Sequence, residues 1–214
     1  ILSFLGAFLS PFIHKIGNRS ATALIVLIPL GVFAVFCTYI PDVAVGNIIS
    51  TTMNWSADLN VQLAFRMDGL SLMFALIISG IGTLVVYYAT GYMKGHEQYG
   101  RFIMFLLLFM SSMLGLVLSD NLISLFIFWE LTSITSFLLI GFDTHKEESR
   151  SAALQALLVT GGGGLALLGG LILLGQAGGS YSISEIINNA GVILNNPLML
   201  PALLLILVGA FSKS

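Results

Sequence analysis

Charge is what this sequence is short of. Only 8% of its 214 residues are Asp, Glu, Lys or Arg, while 57% are hydrophobic; a soluble domain of this size carries about 25% charged residues. Too few charges are present to cover a surface facing water, which excludes an ordinary soluble domain. The net charge of −2 lacks the basic excess that a polyanion demands, so no nucleic-acid partner is expected. Cys37 is the single cysteine, which excludes an internal disulfide and a cysteine metal site. No basic segment precedes the first apolar run, so no signal peptide is read. His14, His96 and His145 sit beside basic residues in hydrophilic segments and are not spaced as metal ligands. Neither metal nor cofactor is expected.

What is there instead is a series of apolar blocks. They run over 1–13, 21–40, 67–92, 102–119, 121–142, 151–175 and 198–214, and the middle five match the roughly 20 residues needed to cross a hydrocarbon core. Helices are the default in lipid, because the backbone finds no other hydrogen-bond partner there. The blocks lack the alternation of a membrane barrel strand. The predicted fold is therefore an all-α, polytopic transmembrane helix bundle with about seven spans in a single domain. The first and last blocks are short, and the sequence opens at Ile1 within an apolar run, so the N-terminal part of a longer protein is expected. The polar stretch 41–66 is predicted to be a cap loop, with a strand or hairpin where Leu59–Phe65 alternates. In the segment 176–197, Ser182 and Glu185 fit a capping box that opens a short helix.

Basic residues give an orientation. Lys15, Arg19, Lys94, Arg101, Lys146 and Arg150, six of the eight, fall in alternate connections that share one side. The opposite connections hold Arg66 with Asp42, Asp58, Asp68, Asp120 and Glu185. The positive-inside rule makes the basic side cytoplasmic and puts the N-terminus outside. A multi-pass protein of a bacterial inner membrane is the expected setting.

Two ionisable residues lie far from any connection. Glu130, within NLISLFIFWELTSITSFLLIGF (121–142), is roughly 14 Å from one end of its span and roughly 18 Å from the other. A charge at mid-helix costs about 2.5–3.5 kcal/mol even on a lenient insertion scale. The bland account is a structural glutamate bonded to a neighbouring helix. The sharper account is a proton carrier: burial favours a neutral carboxyl, a nearby cation favours an ionised one, and a carboxyl under both influences changes protonation as its partner moves. Intramembrane carboxyls mark proton and ion paths, and the sharper account is preferred. Lys213 lies about 15 residues into the last run, roughly 22 Å deep. Alone it reads equally well as a lysine snorkelling to an interface. Were the two spans in contact, Glu130 and Lys213 would form one acid–base couple.

Around this glutamate stand Thr132, Ser133, Thr135 and Ser136. Ser133 is one turn on and shares its face, where it could orient the carboxyl or hold water. Thr132 and Thr135 are read as interhelix glue, and Trp129 as packing. Thr160, which opens TGGGG (160–164), is a second candidate support. Gly161 to Gly164, Gly169, Gly170 and Gly175 lack the lysine that a phosphate loop requires; close helix packing is the favoured reading, and local unwinding beside a water path the lesser one.

With these residues in hand a family resemblance emerges. MDGLSLMFALIISGIGTLVVYYATGYM (67–93) resembles the third helix of the antiporter-like proton-translocating membrane family. SDNLISLFIFWELTSITSFLLIGF (119–142) resembles its fifth-helix motif, and the terminal GAFSKS the start of its seventh-helix lysine motif. The family comprises subunits of respiratory complex I, membrane-bound hydrogenases and Mrp-type cation/proton antiporters. The chain is similar to the N-terminal part of the largest subunit of the Mrp type. The resemblance implies two inverted repeats in a full-length protein, proton translocation through Glu130 and Lys213, and a helix break at Lys213. It further implies other antiporter subunits, protons, sodium ions and the lipid bilayer as partners. Complex I members often carry an Arg and an Asp where this chain has TGGGG, a departure that favours the Mrp type.

Three functions compete at this point. The leading one is a secondary transporter rather than an enzyme: one component of a multisubunit monovalent cation (Na+)/proton antiporter. The second is a proton-pumping membrane subunit of an NADH-quinone oxidoreductase or a membrane-bound hydrogenase. The third is a structural subunit that transports nothing.

Overall fold

The computed structural model describes residues 2–15, 19–56, 61–93, 95–96 and 98–213. Asp58, Leu59 and Lys94, used above in the orientation and cap readings, lie outside the described residues. Among the described residues, seven apolar helices carry the architecture: α1 (Leu2–Lys15), α2 (Arg19–Thr38), α4 (Gly69–Tyr92), α5 (Tyr99–Leu118), α6 (Leu122–Ile140), α7 (Glu147–Gly178) and α10 (Met199–Lys213). Three short helices, α3 (Ile40–Ala44), α8 (Ile183–Asn188) and α9 (Ala190–Ile193), sit in the connections. Five helical stretches among the described residues are long and apolar enough to cross a membrane, the first being Ala23–Ala44; Ser3–Phe12 and Met199–Lys213 are apolar but shorter. The chain is thus a polytopic membrane protein, as its hydropathy requires.

From Val61 on, the predicted alternation forms one arm of an antiparallel hairpin, β1 (Ile49–Ser56) and β2 (Val61–Met67), with Ile49 opposite Met67. It docks by its backbone: the Asp120 N–H donates to the Ala64 carbonyl at 2.8 Å, and Ser124 Oγ donates to the Gln62 carbonyl at 2.7 Å. The α7–α8 connection is stitched to the same place. Leu122 N–H donates to the Tyr181 carbonyl at 2.9 Å, and Ile183 N–H to the Asp120 carbonyl at 3.0 Å. A polar cluster closes this end. Arg66 Nη1 donates to Ser184 Oγ at 2.5 Å, and that hydroxyl donates to Asp120 at 2.7 Å. Ser182 caps α8 by accepting from the Glu185 N–H at 3.4 Å, but its own N–H donates to Ser180 Oγ at 3.0 Å, so one half of the expected capping box forms.

Helix starts follow their capping residues. Asp68 and Ser71 form a reciprocal capping box on α4. The N–H and hydroxyl of Ser71, with the Arg66 guanidinium nearby, hold the Asp68 carboxyl below the usual carboxylate range. Asn121 caps α6 by accepting from Ile123 N–H and Ser124 N–H at 2.9 and 3.2 Å. Helix α7 ends at Gly179, whose φ of +67° is the left-handed conformation that favours glycine at a C-terminus.

Two packing units result. In the first, α5 lies against α1, α4 and α6, and α2 lies against α4. Its core is aliphatic: Ile25, Val86, Ile103, Leu107 and Met110. In the second, α7 lies against α6 and, most extensively, α10. Its buried apolar core is small, with Leu122, Leu167 and Leu171 at its centre. Glycine takes over instead. A Cβ on Gly209 would come within 2.8 Å of the Gly163 carbonyl, and one on Gly170 within 2.8 Å of the Ala202 carbonyl. The glycine run therefore brings backbones together, as read from the sequence. Helix α7 is continuous through it, so the alternative of an unwound segment is not realised. Gly161 and Gly162 face open space and take no part.

Candidate functional site

The cap at Asn121 sets the depth of everything on α6. Counting from it, Glu130 arrives near the middle of the helix, on the side that meets α7. Its carboxyl is half-buried rather than enclosed. Oε1 is fully shielded, has no hydrogen-bond partner, and lies where a Cβ on Gly164 would sit. The same absence of a side chain at Gly163 makes room for the Ser212 hydroxyl. Adjacent glycines on α7 thus accommodate one side chain from α6 and one from α10.

Lys213, at the end of α10, reaches across to α6. Its Nζ donates to the Trp129 carbonyl at 3.0 Å, to Ser133 Oγ at 2.9 Å and to Thr132 Oγ1. It also stands 4.7 Å from the centre of the Trp129 ring, within cation–π range. An ammonium has three N–H donors, and this side chain has three acceptors. Lys213 thus bonds to the helix that carries Glu130, through Trp129, Thr132 and Ser133 rather than through the carboxyl. No ion pair links Glu130 to Lys213 among the described residues.

The supporting residues also land differently from their sequence reading. Ser133 serves Lys213 and donates to the Trp129 carbonyl at 3.3 Å; it does not hold the Glu130 carboxyl. Thr132, read as glue, is fully buried and does bond across to another helix, at Lys213, whereas the bonds of Thr135 among the described residues go to the Leu131 and Thr132 carbonyls of its own helix, at 2.7 and 3.3 Å, and give the glue reading no support. Trp129, read as packing, supplies both a carbonyl and a ring face. Thr160 is not drawn in: its hydroxyl donates to the Ala156 carbonyl of its own helix at 2.8 Å. The sequence did hold a clue to Trp129. Hydroxyls at the third and fourth positions after a residue bond back to its carbonyl, which marks that carbonyl as a polar spot in mid-helix.

A cavity of about 480 Å³ opens at the hairpin end, lined by Gln62, Asn121, Gln176, Ser182 and Glu185 among others. None of the residues around Lys213 lines it. His96 lies at the other end, its ring 5.9 Å from Phe142 and its Nδ1 accepting from the Gln98 N–H at 3.2 Å. No group of metal-binding side chains occurs among the described residues.

Known proteins resemble this chain in sequence and in fold. Residues 53–103 match the family described as NADH-ubiquinone oxidoreductase (complex I), chain 5 N-terminus. Residues 119–214, which hold the whole candidate site, match the NADH:quinone oxidoreductase/Mrp antiporter transmembrane family. The chain is 45% identical over its full length to an Na(+)/H(+) antiporter subunit of Staphylococcus haemolyticus and to the Na(+)/H(+) antiporter subunit of the same type from Alkalihalophilus pseudofirmus. It spans 27% of the length of each of these relatives. Among solved structures, the Mrp complex from a Dietzia species contains a chain that superposes with a TM-score of 0.86 and 31% identity, over 100% of this chain and 23% of that one. The archaeal membrane-bound sulfane sulfur reductase shares the fold, with a TM-score of 0.79 at 21% identity, over 97% of this chain and 42% of that one.

Proposed function

Because this chain belongs to the antiporter-like membrane family of NADH:quinone oxidoreductases and Mrp antiporters, we propose that it is the N-terminal part of one component of a multisubunit sodium/proton antiporter. The observation that carries this reading is the half-buried Glu130–Lys213 site on α6 and α10, lying within a chain whose full length is 45% identical to named antiporter subunits. A carboxyl and an amine in mid-bundle cost too much to keep for packing alone. Here Lys213 bonds to Trp129, Thr132 and Ser133, the residues around Glu130 on α6, and Glu130 Oε1 has no partner among the described residues. Protonation changes at one then shift the position of the other, and a proton moves along the midplane. The partners are the remaining subunits of the complex, with sodium ions and protons as cargo. The basic connections favour a cytoplasmic side at Arg101, Lys146 and Arg150, with the N-terminus outside, in a bacterial cell membrane.

The test is Glu130→Gln in the complete complex. Sodium-driven proton movement in everted vesicles should fall to background while the complex assembles normally. Unimpaired exchange would remove the reading and leave a purely structural role. A second reading, membership of a redox-driven proton pump, draws on the complex I wording of the family that matches residues 53–103. Purification of the intact assembly separates the two, since a redox pump brings iron–sulfur subunits with it.

A further inference from the structure

The way Lys213 is held says more than that it is near Glu130. Every donor of its ammonium is taken, and every acceptor comes from one turn of α6: the Trp129 carbonyl, Thr132 Oγ1 and Ser133 Oγ. The two hydroxyls are themselves oriented. Thr132 donates to the Trp129 carbonyl at 2.7 Å and Ser133 to the same oxygen at 3.3 Å. A hydroxyl has one proton, so with it committed to the helix each hydroxyl presents only lone pairs to Lys213. The Trp129 ring face closes the seat from another direction. Meanwhile Glu130, between Trp129 and Thr132 in sequence, has its buried Oε1 turned to Gly164 without a partner. The unpartnered carboxyl oxygen and the three oxygens that hold Lys213 are two sets of acceptors that compete for one ammonium.

The geometry points to Thr132 and Ser133, with the Trp129 carbonyl, as a parking seat that holds the Lys213 ammonium away from Glu130. The inference rests on the proposed role of that pair and adds what sets its balance. To reach Glu130 the ammonium must give up at least one of its three bonds, so the seat and the carboxylate form two alternatives separated by a short movement. A seat that is too weak leaves the lysine latched on the carboxylate, and exchange slows. Thr132 and Ser133 are then positioning residues, acting through Lys213 rather than on the transported ion.

Thr132 offers a clean discrimination because it is fully buried. Valine keeps its shape and removes the hydroxyl; serine keeps the hydroxyl and removes a methyl. In the complete complex, Thr132→Val combined with Ser133→Ala should slow sodium/proton exchange about tenfold, the scale set by hydrogen bonds to a charged group. Thr132→Ser should retain most of the exchange. Ser133→Ala alone, a small change to a good helix former, should slow exchange roughly threefold and keeps the test alive if the double variant fails to assemble. The opposite ranking, valine tolerated and serine not, would reveal a packing role and overturn the inference, as would wild-type exchange in the Ser133→Ala complex. Glu130→Gln measured alongside keeps the two ideas apart: if it abolishes exchange while the hydroxyl variants are normal, the seat fails and the proton-carrier reading stands.

Discussion

The two packing units of this chain solve the same problem with different means. In the unit of α1, α2, α4 and α5, serines are buried in mid-helix and each is satisfied at home. Ser79 donates to the Ala75 carbonyl at 2.6 Å, Ser111 to Leu107 at 2.7 Å and Ser112 to Leu108 at 2.8 Å. Side chains such as Ile103 and Leu107 fill the space around them. In the unit of α6, α7 and α10, Thr132 and Ser133 make the same bonds back to their helix, yet each also accepts from Lys213. What differs is the neighbour. Glycines on α7 and Gly209 let α10 approach backbone to backbone, and that approach delivers a cation to hydroxyls that would otherwise be inert. Which partners a hydroxyl in a membrane helix gains beyond its own turn thus depends on the helix opposite.

The comparison can be broken most severely at the glycines. Gly164→Ala puts a methyl where Glu130 Oε1 now lies, so the carboxyl must move. Exchange by the complete complex should drop by roughly tenfold or more, the sensitivity expected when a reacting group is displaced by about an ångström. Gly162→Ala, two residues away and facing open space, should leave exchange and assembly unchanged. Equal effects at the two positions would mean that α7 tolerates or rejects methyl groups without regard to Glu130.

A smaller effect sharpens the contrast between the serines. Ser111 is as fully buried as Thr132 but, among the described residues, bonds only to its own helix. Ser111→Ala should change thermal stability in detergent by less than about 1 kcal/mol and leave exchange at the wild-type level, whereas Ser133→Ala slows it. A transport defect in Ser111→Ala would erase the distinction between the units.

The smallest effect lies outside the spans, at the start of α4. The Asp68 carboxyl is held below its usual range, first by the Ser71 N–H and also by the Ser71 hydroxyl and Arg66. A carboxyl lowered in the folded state stabilises the fold fully above its unfolded pKa, near 4, and that contribution is lost as pH falls through the folded value. Asp68→Asn keeps a capping side chain without the charge. It should therefore be less stable than wild type by about 0.5 kcal/mol near neutrality, with the gap closing below about pH 4. Thermal unfolding over a pH series reads it; a gap that persists in acid would show that charge is not the cause.

Much of the molecule was legible from residue order because membrane folding is local. A span is declared by its own hydropathy, as in Leu122–Ile140 and Gly69–Tyr92, since each backbone group in lipid must bond within its own helix. The hairpin was half legible. Alternation marked β2, but β1, with Thr51, Thr52 and Asn54, is defined by its partner's register. At the site, Glu130 stood out through its cost alone. Ser133 could be named by its spacing, yet its partner could not. Thr132 reads as interhelix glue and Trp129 as packing, because nothing within their own helix marks them for a cation.

The sequence by itself determined that this chain crosses a bilayer several times and that Glu130 stands far from either end of its helix. All of this follows from transfer energies that each segment carries alone. Only the tertiary structure decided that Lys213 bonds to Trp129, Thr132 and Ser133, and that Glu130 turns to Gly164. The bond from Lys213 to the Trp129 carbonyl joins residues 84 positions apart. It exists because glycines on a third helix admit two others to close range, and no single helix encodes that meeting.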